Sequence, residues 1–151
     1  MLKNSLGKSG YVGEKITWVT PPADTAGLTD SVADWANAYI TLTTGRWLII
    51  ANVAVTVVTG ATAGNYTFVR TLITDTNGTV IQNCTKQFMI ETAAARVVSG
   101  YANIPFSIVE DVTATKVYKI RGRQIVAGAG VSQLLNSGSN NSEFFAMRIA
   151  Y

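Results

Sequence analysis

The chain has 151 residues, 48% of them hydrophobic and only 14% charged, which is enough apolar material for one well-buried domain. A globular domain usually carries about a quarter charged residues, so part of this apolar surplus is expected to be covered by neighbouring subunits rather than by water. The net charge of +3 comes from 12 basic and 9 acidic residues scattered along the chain, a distribution that gives no footprint for nucleic acid or an anionic membrane.

Helical periodicity is nearly absent, whereas runs rich in Val, Ile, Thr, Tyr and Phe recur between Gly, Asn, Asp and Ser clusters. That is the pattern of an antiparallel sandwich or barrel. Residues 1–13 read as an extended arm, and 14–151 as a single β-domain. The first strand is expected at 14–19, ahead of a surface loop formed by Pro21-Pro22 and residues 23–27, since neither proline can donate to a ladder. Val32, Trp35, Ala36 and Tyr39 share helical spacing, with Ser31 and Asp34 as caps; a loop leading into a strand at 38–43 is the preferred alternative. Further strands are expected at 46–59, 66–75, 80–91, 96–108, 116–126, 131–135 and 144–151. Asp75-Thr76-Asn77-Gly78 offers the positive φ of a tight hairpin, as do Thr43-Thr44-Gly45 and Ala63-Gly64-Asn65. Pro105 places its strand at an edge, or bulges or breaks it. Asn136 to Asn141 form a second polar loop.

Two strands are apolar on both faces. In the first, Trp47, Ile49, Ala51, Val53, Val55 and Val57 alternate with Leu48, Ile50, Ala54 and Val58; in the last, Phe145, Met147, Ile149 and Tyr151 alternate with Phe144 and Ala146. A strand in a simple two-layer sandwich has a polar outer face. The second face is therefore expected to be covered by another copy of the chain, or else by the chain's own loops. Trp47, Phe144, Phe145, Met147, Ile149 and Tyr151 are the candidate contact residues.

Little here points to catalysis. With no histidine and a single cysteine, Cys84, the usual metal spacings and any intrachain disulfide are absent; no metal or cofactor is expected, and Cys84 reads as a small buried hydrophobe. Glu110-Asp111 is an adjacent acidic pair, and neighbours on a strand point to opposite faces, so it does not serve as a general acid and base. Gly7-Lys8-Ser9 lacks the earlier glycine of a phosphate-binding loop. The longest apolar run, from Trp47 to Val58, is too short for the roughly 20 residues of a membrane-crossing helix, and no apolar leader follows Lys3 and Lys8. Lys119, Arg121 and Arg123 alternate along one strand, giving a row of cations that is either a solvated face or a contact for acidic protein surface or anionic glycan. Trp18, Trp35, Tyr101 and Tyr11 are candidates for stacking on sugars, with burial as the competing reading.

Gly45-Arg46-Trp47-Leu48-Ile49 resembles the opening of an inner strand in the C1q and tumour-necrosis-factor-like jelly rolls. The segment Asn141-Ser142-Glu143-Phe144-Phe145-Ala146-Met147-Arg148-Ile149 resembles the closing strand of that superfamily. The resemblance spans roughly residues 35–151 and implies a compact homotrimer with aromatic closing strands near the threefold axis. Unlike its eukaryotic members, the chain shows no collagen stalk, leader or disulfide, so a cytokine role is not implied. Gly10-Tyr11-Val12-Gly13-Glu14-Lys15-Ile16, followed by Ile40-Thr41-Leu42-Thr43-Thr44-Gly45-Arg46-Trp47, is similar to the lead and strand pair of small bacteriophage virion proteins. This implies a non-enzymatic virion-surface protein, assembled in the host cytoplasm, whose arm, including Lys3, Lys8 and Tyr11, reaches onto the particle. Its expected partners are itself and other virion proteins, as a head decoration or head fibre on the capsid. The alternative is a tail fibre tip or adaptor whose loops at 24–30 and 136–141 bind host-surface glycan.

Overall fold

The structure is a computed structural model that describes residues 11–18, 23–93, 95–136 and 141–151, with the backbone alone over 82–86. The described residues form nine strands: β1 (Lys15–Thr17), β2 (Ala33–Leu42), β3 (Gly45–Thr59), β4 (Tyr66–Asp75), β5 (Val80–Glu91), β6 (Ser99–Val112), β7 (Lys116–Ala127), β8 (Gly130–Leu135) and β9 (Glu143–Ala150). They make two antiparallel sheets, β1-β9-β3-β6, with β8 also paired to β3, and β2-β7-β4-β5. The chain crosses between the sheets at most steps, and these interlocking orders are those of a jelly-roll sandwich. The expected all-β class and strand number are those observed.

β3 shows why the layers close. Its inward residues Trp47, Ile49, Val53, Val55 and Val57 are fully buried, alternating at the strand period of two. They pack on Ile104, Phe106, Phe144 and Ala146 of their own sheet and on Ile40, Leu42, Val69, Ile73, Tyr118 and Ile120 of the other. The Trp47 indole N–H donates to the Thr43 carbonyl at 2.9 Å, so the ring is both buried and satisfied.

Three local features bear on the sequence reading. Neither helix nor loop forms at residues 33–37: β2 begins at Ala33, and its register jumps from Asp34↔Arg121 to Tyr39↔Lys119, so that residues 35–38 stand opposite Ile120 alone. Of Val32, Trp35, Ala36 and Tyr39, whose spacing mimics a helical face, only Trp35 is buried. β6 runs unbroken through Pro105, which faces Asn52; β6 is the edge of its sheet, where a missing N–H costs no ladder bond. Along one side of β3 the pairing passes from β9, at Arg46 to Asn52, to β8, at Ala54 to Thr59.

The β4–β5 hairpin turns where expected. Gly78 takes φ 85°, and Asp75 Oδ1 accepts the N–H groups of Asn77 and Thr79, each at 2.9 Å. Accepting the Thr79 N–H above all holds the Asp75 carboxyl below its ordinary range. Residues 11–13 are not a free arm, because the Gly13 N–H donates to the Arg148 carbonyl at 2.7 Å and the Glu14 N–H to the Tyr11 carbonyl at 3.0 Å. Lys3, Lys8, Pro21, Pro22, residues 137–140 and the Cys84 side chain lie outside the described residues.

Candidate functional site

Of the candidate contact residues, the structure turns Trp47 and Phe144 inward. They are 0% and 2% exposed within a single copy, so neither ring can meet another chain; both belong to the core. Phe145, Met147 and Ile149 do face outward from β9, the last of them 41% exposed. Cross-strand register sets them beside the outward residues of the neighbouring strands: Leu48 faces Met147 on one side and Val109 on the other, and Ile50 faces Phe145. Leu48, Ile50, Val109, Phe145, Met147 and Ile149 thus make one apolar patch across three strands. At its border Lys15 Nζ sits 4.2 Å from the centroid of the Phe145 ring, and Arg46 pairs with Asp111 at 3.6 Å. Tyr151 is not part of the patch, since its ring lies 5.3 Å from the Arg148 guanidinium at the end of the sandwich.

Arg148 was not singled out by the sequence reading, although a cation on a strand that is otherwise apolar on both faces is a visible signal. It is 3% exposed. Its Nε donates to Glu14 Oε2 at 3.0 Å, Nη2 to Thr43 Oγ1 at 2.7 Å, and Nη1 to the Thr44 carbonyl, while the guanidinium stacks 4.4 Å from the Trp47 ring centroid. Gly45, at φ 143°, lies so close that any Cβ there would meet this guanidinium. The segments around Glu14 and around Gly45-Arg46-Trp47 therefore meet at one buried cation.

The expected row of Lys119, Arg121 and Arg123 stands on the outer face of the other sheet. Lys119 Nζ and Arg121 Nε lie 2.9 and 2.6 Å from the Asp34 carboxylate, and Arg123 Nη2 lies 2.9 Å from Asp30. These aspartates, which the sequence reading did not connect with the row, neutralise much of it. Arg70 joins the face directly opposite Arg123, and its Nε is buried without a hydrogen-bond partner among the described residues. The four cations Lys119, Arg121, Arg123 and Arg70 outnumber the two aspartates that pair with the row.

The loop at 24–30 is tied down. Thr25 and Leu28 donate backbone N–H groups to Leu134 and Ser132, and the Thr29 carbonyl accepts from Gln124. The Asn136 N–H donates to Asp24 Oδ1 at 2.6 Å. Of the aromatic candidates, Trp35 is buried and Trp18 packs edge-on against Trp35 and Phe144, whereas Tyr11 and Tyr101 are exposed. Burial pushes the Tyr118 hydroxyl well above the ordinary phenol range, with Glu110 and Asp75 adding to it. Among the described residues no group of three or more His, Cys, Asp or Glu is placed to hold a metal ion, and no helix is long and apolar enough to cross a membrane.

No protein-family model matches the chain, and no curated sequence matches it. Among solved structures it is similar to that of the infectious bursal disease virus Gx strain, at 11% identity and TM-score 0.37, covering 91% of this chain and 36% of that one. It is also similar to the T13 particle of the same virus, at 13% identity and TM-score 0.34, covering 90% and 35%. The chain spans about a third of the length of the solved structures it matches.

Proposed function

We propose that the chain is a non-enzymatic structural module of a virus particle that associates with copies of itself as a trimer. The contact is the outer face of the β1-β9-β3-β6 sheet. One observation carries this reading: Leu48, Ile50, Val109, Phe145, Met147 and Ile149 form a contiguous apolar patch across β9, β3 and β6, where a solvated face would alternate with polar residues. A patch of this kind with a charged border is the surface expected of a self-association site. The resemblance of the inner and closing strands to the C1q and tumour-necrosis-factor-like trimers agrees with it. The resemblance of the segments around Glu14 and Trp47 to phage virion proteins supports a place on the virion surface. There the residues before Tyr11, with Lys3 and Lys8, would reach onto the capsid as those of a head decoration or head-fibre protein do. The test is the oligomeric mass of the full chain and of Met147→Asp by sedimentation. The expected result is a trimer that Met147→Asp converts to a folded monomer, because a charge would be buried without a partner; a monomeric wild type, or a variant that stays trimeric, refutes the contact. Immunogold labelling of intact particles then separates the head from the tail, where a receptor-binding tip or adaptor would sit.

A further inference from the structure

The outer face of the other sheet carries a second feature, at the bulge of β2. Asn37 is the one non-glycine among the described residues with positive φ, at 65°, and it sits within the bulge that sets residues 35–38 against Ile120. Bulges re-aim side chains and gather at edges and binding sites, and a strained backbone position persists where the surroundings hold it. Here the surroundings do hold it. Trp35 is buried beneath the bulge, donates its indole N–H to the Ala23 carbonyl at 2.6 Å, and is braced by Trp18.

Above this rigid floor lies an open depression of roughly 330 Å³, walled by Asp34, Asn37, Tyr39, Val117 and Lys119. A second of roughly 290 Å³ abuts it, sharing residues 34–37 and bordered by residues 23–26. Small-ligand sites start at about 300 Å³. Tyr39 is 48% exposed and stands across from Lys119, so that it and Val117 offer an apolar wall. Asp34 is oriented by Lys119 and Arg121, and the Asn37 side chain projects from an exposed turn of backbone.

We propose that this depression binds a hexopyranose ring of a neutral glycan. Sugar rings present an apolar C–H face, which a half-exposed aromatic covers, and a girdle of hydroxyls, which need both acceptors and donors. A carboxylate, a carboxamide and an ammonium around one aromatic supply that combination. An anionic ligand is disfavoured, because the lining of the depression itself sets one carboxylate, Asp34, against one ammonium, Lys119. The site lies on the opposite sheet from the apolar patch, so it stands or falls separately from the trimer reading.

The test is a titration of the isotopically labelled full chain with the methyl glycosides of glucose, galactose, mannose and N-acetylglucosamine, and with a methyl sialoside, followed by amide shifts. A neutral glycoside is expected to move the amides of Asn37, Tyr39 and Lys119. Tyr39→Ala is expected to weaken its affinity about tenfold or more. Asn37→Gly keeps the positive φ without strain, so it should fold at least as well as wild type while losing sugar affinity about fivefold. Absence of shifts at these amides with every neutral glycoside, binding by the sialoside alone, or unchanged affinity in both variants overturns the proposal.

Discussion

Arg148 occupies a position that its neighbours on β9 fill with alanine, and it tolerates burial because its donors meet Glu14, Thr43 and the Thr44 carbonyl. A buried ion pair contributes modestly beyond its desolvation cost, yet removing one partner strands the other charge. Glu14→Ala is therefore expected to cost about 3–5 kcal/mol, read as a fall in the urea midpoint. The double variant Glu14→Leu with Arg148→Met should lose far less than the two single losses added together, because no charge is left buried. Additive losses would show that the two residues act independently. Half of this pair was visible in the sequence: a cation on a strand that is apolar on both faces stands out, although the parity that buries it comes from the fold. Its partner, 134 residues away in the chain, is fixed only by β1 pairing with β9.

At the scale of elements, the larger sheet is discontinuous at the hand-off along β3 from β9 to β8. Ser142 closes it, accepting the Ala54 N–H at 2.8 Å and donating to the Leu135 carbonyl at 2.7 Å. Ser142→Ala leaves both backbone groups buried without a partner, an expected cost of about 1–3 kcal/mol, and amide exchange at Ala54 should accelerate. Unchanged exchange there would mean that water replaces the hydroxyl. The strands themselves were legible because Val, Ile, Thr and aromatic runs between turn residues say where a pleated, half-buried segment lies. β2 was read short for a physical reason: its bulge breaks the period of two, so that Trp35 and Ala38 are both buried three residues apart, a spacing that a regular strand does not give. Pro105 marked an edge, a bulge or a break, and only the unbroken pairing of β6 with β3 at the end of the sheet decides among them.

Across the whole molecule the two sheets present unlike outer surfaces. The β1-β9-β3-β6 face is apolar at its centre, whereas the β2-β7-β4-β5 face carries Lys119, Arg121, Arg123 and Arg70 against Asp30 and Asp34. The sequence disclosed that β3 and β9 are apolar on both sides, but it could not say that Trp47 and Phe144 face the core and Met147 does not, since that depends on the parity of each strand against the opposite sheet. The difference between the faces makes the force behind self-association measurable. Contacts between exposed charges weaken as salt shortens the Debye length from about 10 Å at 0.1 M to about 3 Å at 1 M, whereas apolar burial is not screened and weakens on cooling. Sedimentation of the full chain at both salt concentrations is therefore expected to give the same oligomer, with dissociation favoured at low temperature. An oligomer that falls apart in high salt would move the contact to the basic face, where Arg70 and its neighbours would reach acidic side chains such as Asp30 of another copy.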